Sequence, residues 1–416
     1  MKFLSDLPRN SRNSIKLEPL WSVFGGMILF YAPLYMKGLG VTEVEMGLIN
    51  TVNLFFAFIF HFLAGPVTNR LGRKRTTLIF DIISWTIPML IWAVAQNFWY
   101  FLIAYSINAS VKIVSISWYC LISEDAPENK RAKIFGIMYI INYTTGIFTP
   151  VAGLLIAKYG TVPTLRVLYL IGMVSFTCMF IIRNALVNET KAGKEIMEKH
   201  STMSISQSLK SYIVNIAGIR KNKNLILITL ILIITNFAAS MNFFQILYIK
   251  DYLGFSEKAL SVTPLISALI NLLLFVYVLP KLRNFKDEKL LFIAFLIVCL
   301  GILVLLATPL GNMAILLASI GILAVGGFIM QVYRDTVFMN NAGEHDKADM
   351  YAAAQTVTTL ICIPSGYLGG LMFSLSRQLP FLGMLCLYII ASLIAFKLLR
   401  MKGATDEKET DIGTTA

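Results

Sequence analysis

GPVTNRLGRKRTTL, Gly65 to Leu78, packs four cations (Arg70, Arg73, Lys74 and Arg75) between two long apolar runs. The run before it is GLINTVNLFFAFIFHFLAG, and the residues after it, 76–95, are apolar again. A short charged connector between two such segments is the pattern of a chain that leaves a bilayer, turns in water and re-enters. The rest of the sequence repeats it, in WSVFGGMILFYAPLY, LILITLILIITNFAA and LLFIAFLIVCLGILVLL.

The bulk numbers agree. The 416 residues are 57% hydrophobic and 14% charged, with mean hydropathy +0.71. A soluble chain carries roughly 25% charged residues, so this one has too little polar surface to cover a body in water. Each apolar run approaches the ~20 residues that cross the ~30 Å hydrocarbon core as a helix. Helices are expected because lipid leaves no other partner for backbone polar groups. The sequence predicts an all-α integral membrane protein with twelve transmembrane helices, at 17–36, 43–66, 76–95, 97–122, 132–157, 163–186, 224–249, 257–280, 289–308, 311–338, 350–375 and 380–400.

The net charge of +13 does not point to nucleic acid, because the cations sit in connectors and form no single basic face. If both ends lie on one side, the segments on that side hold 29 of the 36 Lys and Arg, and the opposite side holds six. The positive-inside bias then puts both termini in the cytoplasm of a multi-pass plasma-membrane protein. MKFLSDLPRNSRNSIK, at the start, lacks the apolar core and cleavage site of a signal peptide. The five cysteines and three histidines are scattered, so no metal site, disulfide framework or cofactor is expected.

A polar segment divides the spans six and six. The expected organisation is a cytoplasmic N-terminal segment (1–16), a six-helix bundle (17–186), a linker (187–223), a second bundle (224–400) and a cytoplasmic tail (401–416). Within the linker, Leu209, Tyr212, Ile213, Ile216 and Ile219 recur at helical spacing beside several cations, which predicts an amphipathic helix on the membrane surface. The halves also repeat. LYMKGLGVTE, Leu34 to Glu43, matches LYIKDYLGFSE, Leu247 to Glu257, and a shift of 216 pairs Ala126, Glu128, Ala132 and Gly153 with Ala342, Glu344, Ala348 and Gly369. Duplicated six-helix halves characterise secondary transporters, which bind solute between the halves near the bilayer midplane.

With that organisation in place, the opening stretch resembles the loop signature of the major facilitator superfamily (MFS). Gly65, Arg70, Gly72, Lys74 and Arg75 fill its frame between spans two and three, and Asn69 stands where the family usually has Asp. In span five, Gly136, Pro150 and Gly153 fit the helix-packing pattern of the family's antiporters, while Thr145 and Thr149 replace two of its glycines. The arginine motif of proton-coupled drug exporters in span four is missing. The resemblance implies two pseudo-symmetric six-helix bundles, with spans one, four, seven and ten central. It also implies a gating loop in which Arg70 and Arg73 pair with Glu124 or Asp125 at the end of span four. Asn69 brings no charge, so a softened latch is expected.

Independently of the family, Tyr105, Asn108, Lys112, Ser115 and Tyr119 form a polar stripe at helical spacing on span four. Lys112 lies roughly 16 Å from the cytoplasmic end at ~1.5 Å per residue. An intramembrane lysine costs about 2.5–3.5 kcal/mol on insertion scales, so it calls for a partner or a use. Tyr31 and Tyr35 in span one, Asn242 and Gln245 in span seven and Gln331 in span ten are further candidates for solute binding or coupling. Thr235 and Asn236, Asn142 and Tyr143, and Thr263, Ser267 and Asn271 extend the possible lining. Asp and Glu are absent from the middle of every span; Glu18, Asp81 and Asp335 lie towards the ends.

These features predict a monomeric secondary active transporter of a small organic solute, working by alternating access and exporting an amphipathic compound. Uptake or exchange of an anionic metabolite, with Lys112 as counter-charge, is the alternative. A coupling ion, proton or sodium, is compatible with either. A non-transporting sensor is the rival of another class. No reactive constellation for an enzyme is visible.

Overall fold

The computed structural model describes residues 4–199, 219–220, 222–282, 284–342 and 347–414, and among these the regular structure is helix with no strand. Eleven helices are long and apolar enough to cross a membrane, and a bent pair, Arg9–Leu29 and Ala32–Gly38, makes a twelfth. The expected amphipathic helix of 208–219 lies almost entirely outside the described residues, as does Glu344 of the repeat. The remaining spans are Glu43–Leu71, Arg73–Ala93, Phe98–Ser123, Lys133–Tyr159, Thr161–Leu186, Lys223–Tyr252, Glu257–Leu282, Asp287–Leu306, Met313–Asn341, Met350–Leu375 and Leu379–Met401. The face that carries both chain ends is called here the terminal face, and the opposite one the far face.

Local chemistry explains the breaks. Span one bends by 46° after Phe30, where Pro33 in the first turn of the second segment has no N–H for the preceding turn. Spans three and four separate at Asn97, whose side chain accepts from Trp99 N–H at 3.1 Å. Span five carries a 3₁₀ turn at Thr145–Phe148, directly ahead of Pro150 in the next helical segment.

The polar N-terminal stretch is itself helical from Arg9, and its polarity is used inside the protein. Ser11 Oγ donates to Ile122 O at 2.6 Å, and Asn10 exchanges hydrogen bonds with the backbone of Asn188 at 2.9 Å. Lys133 donates to Asp6 at 2.9 Å, and this hydrogen bond holds the Asp6 carboxyl below the usual range. The first turns therefore tie the ends of spans four and six to the start of span five.

The repeat survives in three dimensions. Gly40 (φ 80°) and Gly254 (φ 75°) each precede an apolar residue, an N-capping hydroxyl (Thr42, Ser256) and a glutamate. Lys37 pairs with Glu43 at 3.1 Å, and Lys250 pairs with Glu257 at 2.5 Å. The halves then meet in two related seams, span two along span eleven and span five along span eight. Large apolar residues such as Leu300, Leu303 and Leu393 are left facing outward, as a lipid-facing surface requires.

Candidate functional site

Three contiguous cavities lie between the halves and meet at Tyr143. One of about 350 Å³ is bordered by Thr235, Asn236, Asn271, Gln331 and Arg334. A second, about 370 Å³, is lined by Tyr139, Phe275, Leu279, Asp335 and Met339 and so reaches the terminal-face ends of spans eight and ten. A third, about 320 Å³, runs towards the far face past Asn142, Gln245, Thr263 and Ser267. Together they have the size and the mostly apolar, sparsely polar lining of a site for a drug-sized molecule. Tyr139 stacks on Tyr143 with ring centroids 6.3 Å apart, and Tyr143 also meets Phe328 at 5.3 Å. The Tyr143 hydroxyl donates to Gln331 Oε1 at 3.4 Å, a hydrogen bond from one half to the other. The charges at this level balance, because Arg334 binds Asp335 at 3.0 Å and Thr235 Oγ1 at 3.1 Å.

Beyond the cavities, the far face is shut. Lys37 reaches Asp251 at 2.6 Å, and Arg377 reaches Glu43 at 2.8 Å; both pairs join one half to the other. Beneath them, a Cβ added at Gly153 would stand 2.5 Å from Ser261 Cβ and 2.8 Å from the Tyr31 hydroxyl, so no larger residue fits that seam.

On the terminal face, the connector of spans two and three is a built structure. Gly72, at φ 81° and ψ 163°, turns the chain in a conformation open essentially to glycine alone. Arg73, only 3% exposed, forms a fork with Glu124 through Nε and Nη2 at 3.0 Å and donates to Asn69 Oδ1 at 3.3 Å. The acid absent at Asn69 comes from the linker. Glu189 accepts from the backbone N–H groups of Arg73 and Lys74, both at 3.0 Å, at the start of span three. Asp125 accepts from the N–H of Lys191 at 3.1 Å, where the linker helix Lys191–Lys199 begins. Arg70 and Arg75 are exposed.

A model described as the Major Facilitator Superfamily matches residues 21–366. The chain belongs to that superfamily. It is therefore a transporter and not an enzyme, with the alternating access general to the superfamily. It is 24% identical over 315 residues to the multidrug resistance protein MdtG of Salmonella choleraesuis (strain SC-B67), covering 70% of this chain and 72% of that protein. It is 25% identical over 321 residues to the quinolone resistance protein NorA of Staphylococcus aureus (strain MSSA476), covering 77% and 78%. The crystal structure of the nucleoside transporter NupG superposes with a TM-score of 0.68 at 15% identity, over 95% of this chain and 99% of that one. That likeness concerns the fold.

Within this MFS fold the expected site residues scatter. Gln331, Gln245, Asn142, Tyr143, Thr263, Ser267 and Asn271 border the cavities. Asn242 is exposed and is not among the residues that line them. Tyr35 is fully buried inside the first half, donating to Trp92 O at 2.7 Å, and Tyr31 lies in the closed seam. The stripe on span four divides at a break after Asn108. Above the break, Tyr105 packs on Trp92, and Asn108 donates to Ser84 O at 2.6 Å. Below it, Ser115 and Tyr119 line a separate cavity of about 250 Å³ within the first half. Lys112 follows the break, and among the described residues its ammonium has no hydrogen-bond or ion-pair partner. Gly136 has only an ordinary contact with Phe275, 3.5 Å from an added Cβ.

Sequence reasoning missed three features. Tyr139 is one helical turn from Tyr143 and was readable from that spacing. Glu189 was hidden in a linker with no periodic signal. Arg183 reads as one more connector cation, yet it is 4% exposed and bound to Asp81.

Proposed function

We propose that the protein exports amphipathic organic compounds from the cytoplasm, with both termini on the cytoplasmic side of the plasma membrane. The observation that carries this reading is the cavity around Tyr143, which is aromatic and amide-lined, internally neutral in charge and extended towards the terminal face. Such a lining offers π-faces and a few hydrogen-bond partners to a ligand without demanding one charge or one shape. The excess of cations on the terminal face supports placing that face in the cytoplasm. The resistance proteins MdtG and NorA support export, and the name of NorA supplies a first compound class to try. Accumulation of a fluorescent quinolone in bacteria lacking their own exporters is the direct test. Expression should lower accumulation, and Tyr143→Ala should restore it. Accumulation unchanged by the wild-type chain across quinolones and other amphipathic dyes would contradict the reading.

A second reading rests on Lys112, whose ammonium has no partner among the described residues, and on the neighbouring His61, whose Nδ1 is buried and unbonded among them. Two basic groups without acceptors suit an anionic solute, taken up or exchanged. Competition of binding by small organic anions, lost in Lys112→Ala, would favour it over export of neutral compounds.

A further inference from the structure

We propose that Glu18 is a proton-carrying site of the transport cycle, held by Asp81 and Arg183 where spans one, three and six meet. The proposal rests on the transport reading and names the coupling ion that would accompany it. Arg183 is the one guanidinium of the group and is 4% exposed. Its Nη2 is in direct contact with Asp81, which is 3% exposed. Glu18, 7% exposed, stands with Oε1 4.0 Å from Nη1, beyond hydrogen-bond distance. One cation thus faces two buried carboxylates, and the group carries a surplus negative charge. A buried acid beyond what its partner can balance is relieved by binding a proton. The Arg334–Asp335 pair in the other half has no such surplus.

The surroundings set the site next to the solute cavity. Glu18, Asp81 and Arg183 border the cavity of about 250 Å³ that also holds Ser115, Tyr119 and Asn142. Asn142 borders the cavity between the halves as well, so the two spaces share a wall. Among the titratable and charged groups, span three brings Asp81, span six Arg183 and span four Tyr119, while span five contributes the neutral Met138 and Asn142. Lys16 on the preceding helix is exposed. A proton taken up at Glu18 leaves Arg183 to Asp81 alone. Its release puts a second acid in competition for that guanidinium and changes the field along the wall shared with the solute cavity.

The test needs no solute. The purified full-length protein is titrated, following tryptophan fluorescence, since Trp21, Trp85 and Trp118 line the same cavity, and following the infrared band of a protonated carboxyl. The wild type should show a one-proton transition that Glu18→Gln removes and Glu18→Asp keeps. In Asp81→Asn, Arg183 is free to balance Glu18, so the midpoint should fall to lower pH; this variant keeps the question open to decision if Glu18→Gln does not fold. An unaltered transition in Glu18→Gln, an unmoved midpoint in Asp81→Asn, or no transition in the wild type would overturn the proposal. A failed titration removes the proton site and leaves transport standing. An intact titration without movement of quinolones or amphipathic dyes leaves the proton site and removes the export reading.

Discussion

At the scale of single residues, a side chain's partners decide its role more than its type does. Glu189 satisfies two of the free N–H groups at the start of span three and places a negative charge at that helix's positive end. Glu189→Ala should therefore cost about 1–2 kcal/mol, read as a lower melting temperature of the purified protein. Asn69→Asp adds an acid where Arg73 already holds Glu124 and should change stability by no more than about 0.5 kcal/mol. If the larger loss falls on Asn69→Asp, the acid from the linker is not the one that matters. Lys112 is the opposite case, a cation with no hydrogen-bond or ion-pair partner among the described residues. Lys112→Ala should leave the melting temperature unchanged or raise it, because an unpaired charge is removed from the membrane interior. A marked loss of stability would reveal a structural bond.

At the scale of helices, most of the fold was legible. Hydropathy and connector charge place each span within several residues of its observed position, because lipid admits nothing but helix for these apolar runs. Polar stripes were less legible. Tyr105 is spent on a ring contact and Asn108 and Tyr35 on hydrogen bonds within one half, while Tyr139 and Asn142 of span five face the cavity. Periodicity identifies a polar face but does not say which neighbour that face meets. Nor does sequence show that Glu18, Asp81 and Arg183 converge, since they lie on three spans far apart in the chain. The glycine–proline positions differ in role: Pro150 follows the 3₁₀ turn in span five and Gly153 lies in the tight seam. Gly153→Leu should force spans five and eight apart, at about 1–3 kcal/mol of overpacking strain. Distances between spin labels at the far-face ends of those spans should widen; unchanged distances would show that the seam relaxes around the larger residue.

At the scale of the whole molecule, the two halves are latched at the far face while the cavity between them extends towards the terminal face. Glu43 accepts from both Lys37 and Arg377 and so links two parts of that latch. These pairs are partly exposed and worth about 0.5–1 kcal/mol each. Of its two pairs only the one with Arg377 crosses between the halves, so Glu43→Gln should raise the ratio of far-open to far-closed molecules by roughly two- to fivefold, measurable as single-molecule energy transfer across the far mouth. No shift would mean that the glycine seams alone keep it closed.

The central claim is that solute crosses through the cavity around Tyr143 as the latch above it opens and closes. The most direct measurement puts cysteines in place of Lys37 and Asp251, in a chain whose own cysteines are replaced, reconstituted in liposomes with a fluorescent quinolone. Joining the two with a short, cleavable, bifunctional thiol reagent should stop transport, and cleaving the bridge should restore it. Transport that continues at full rate with the far face bridged would contradict the account.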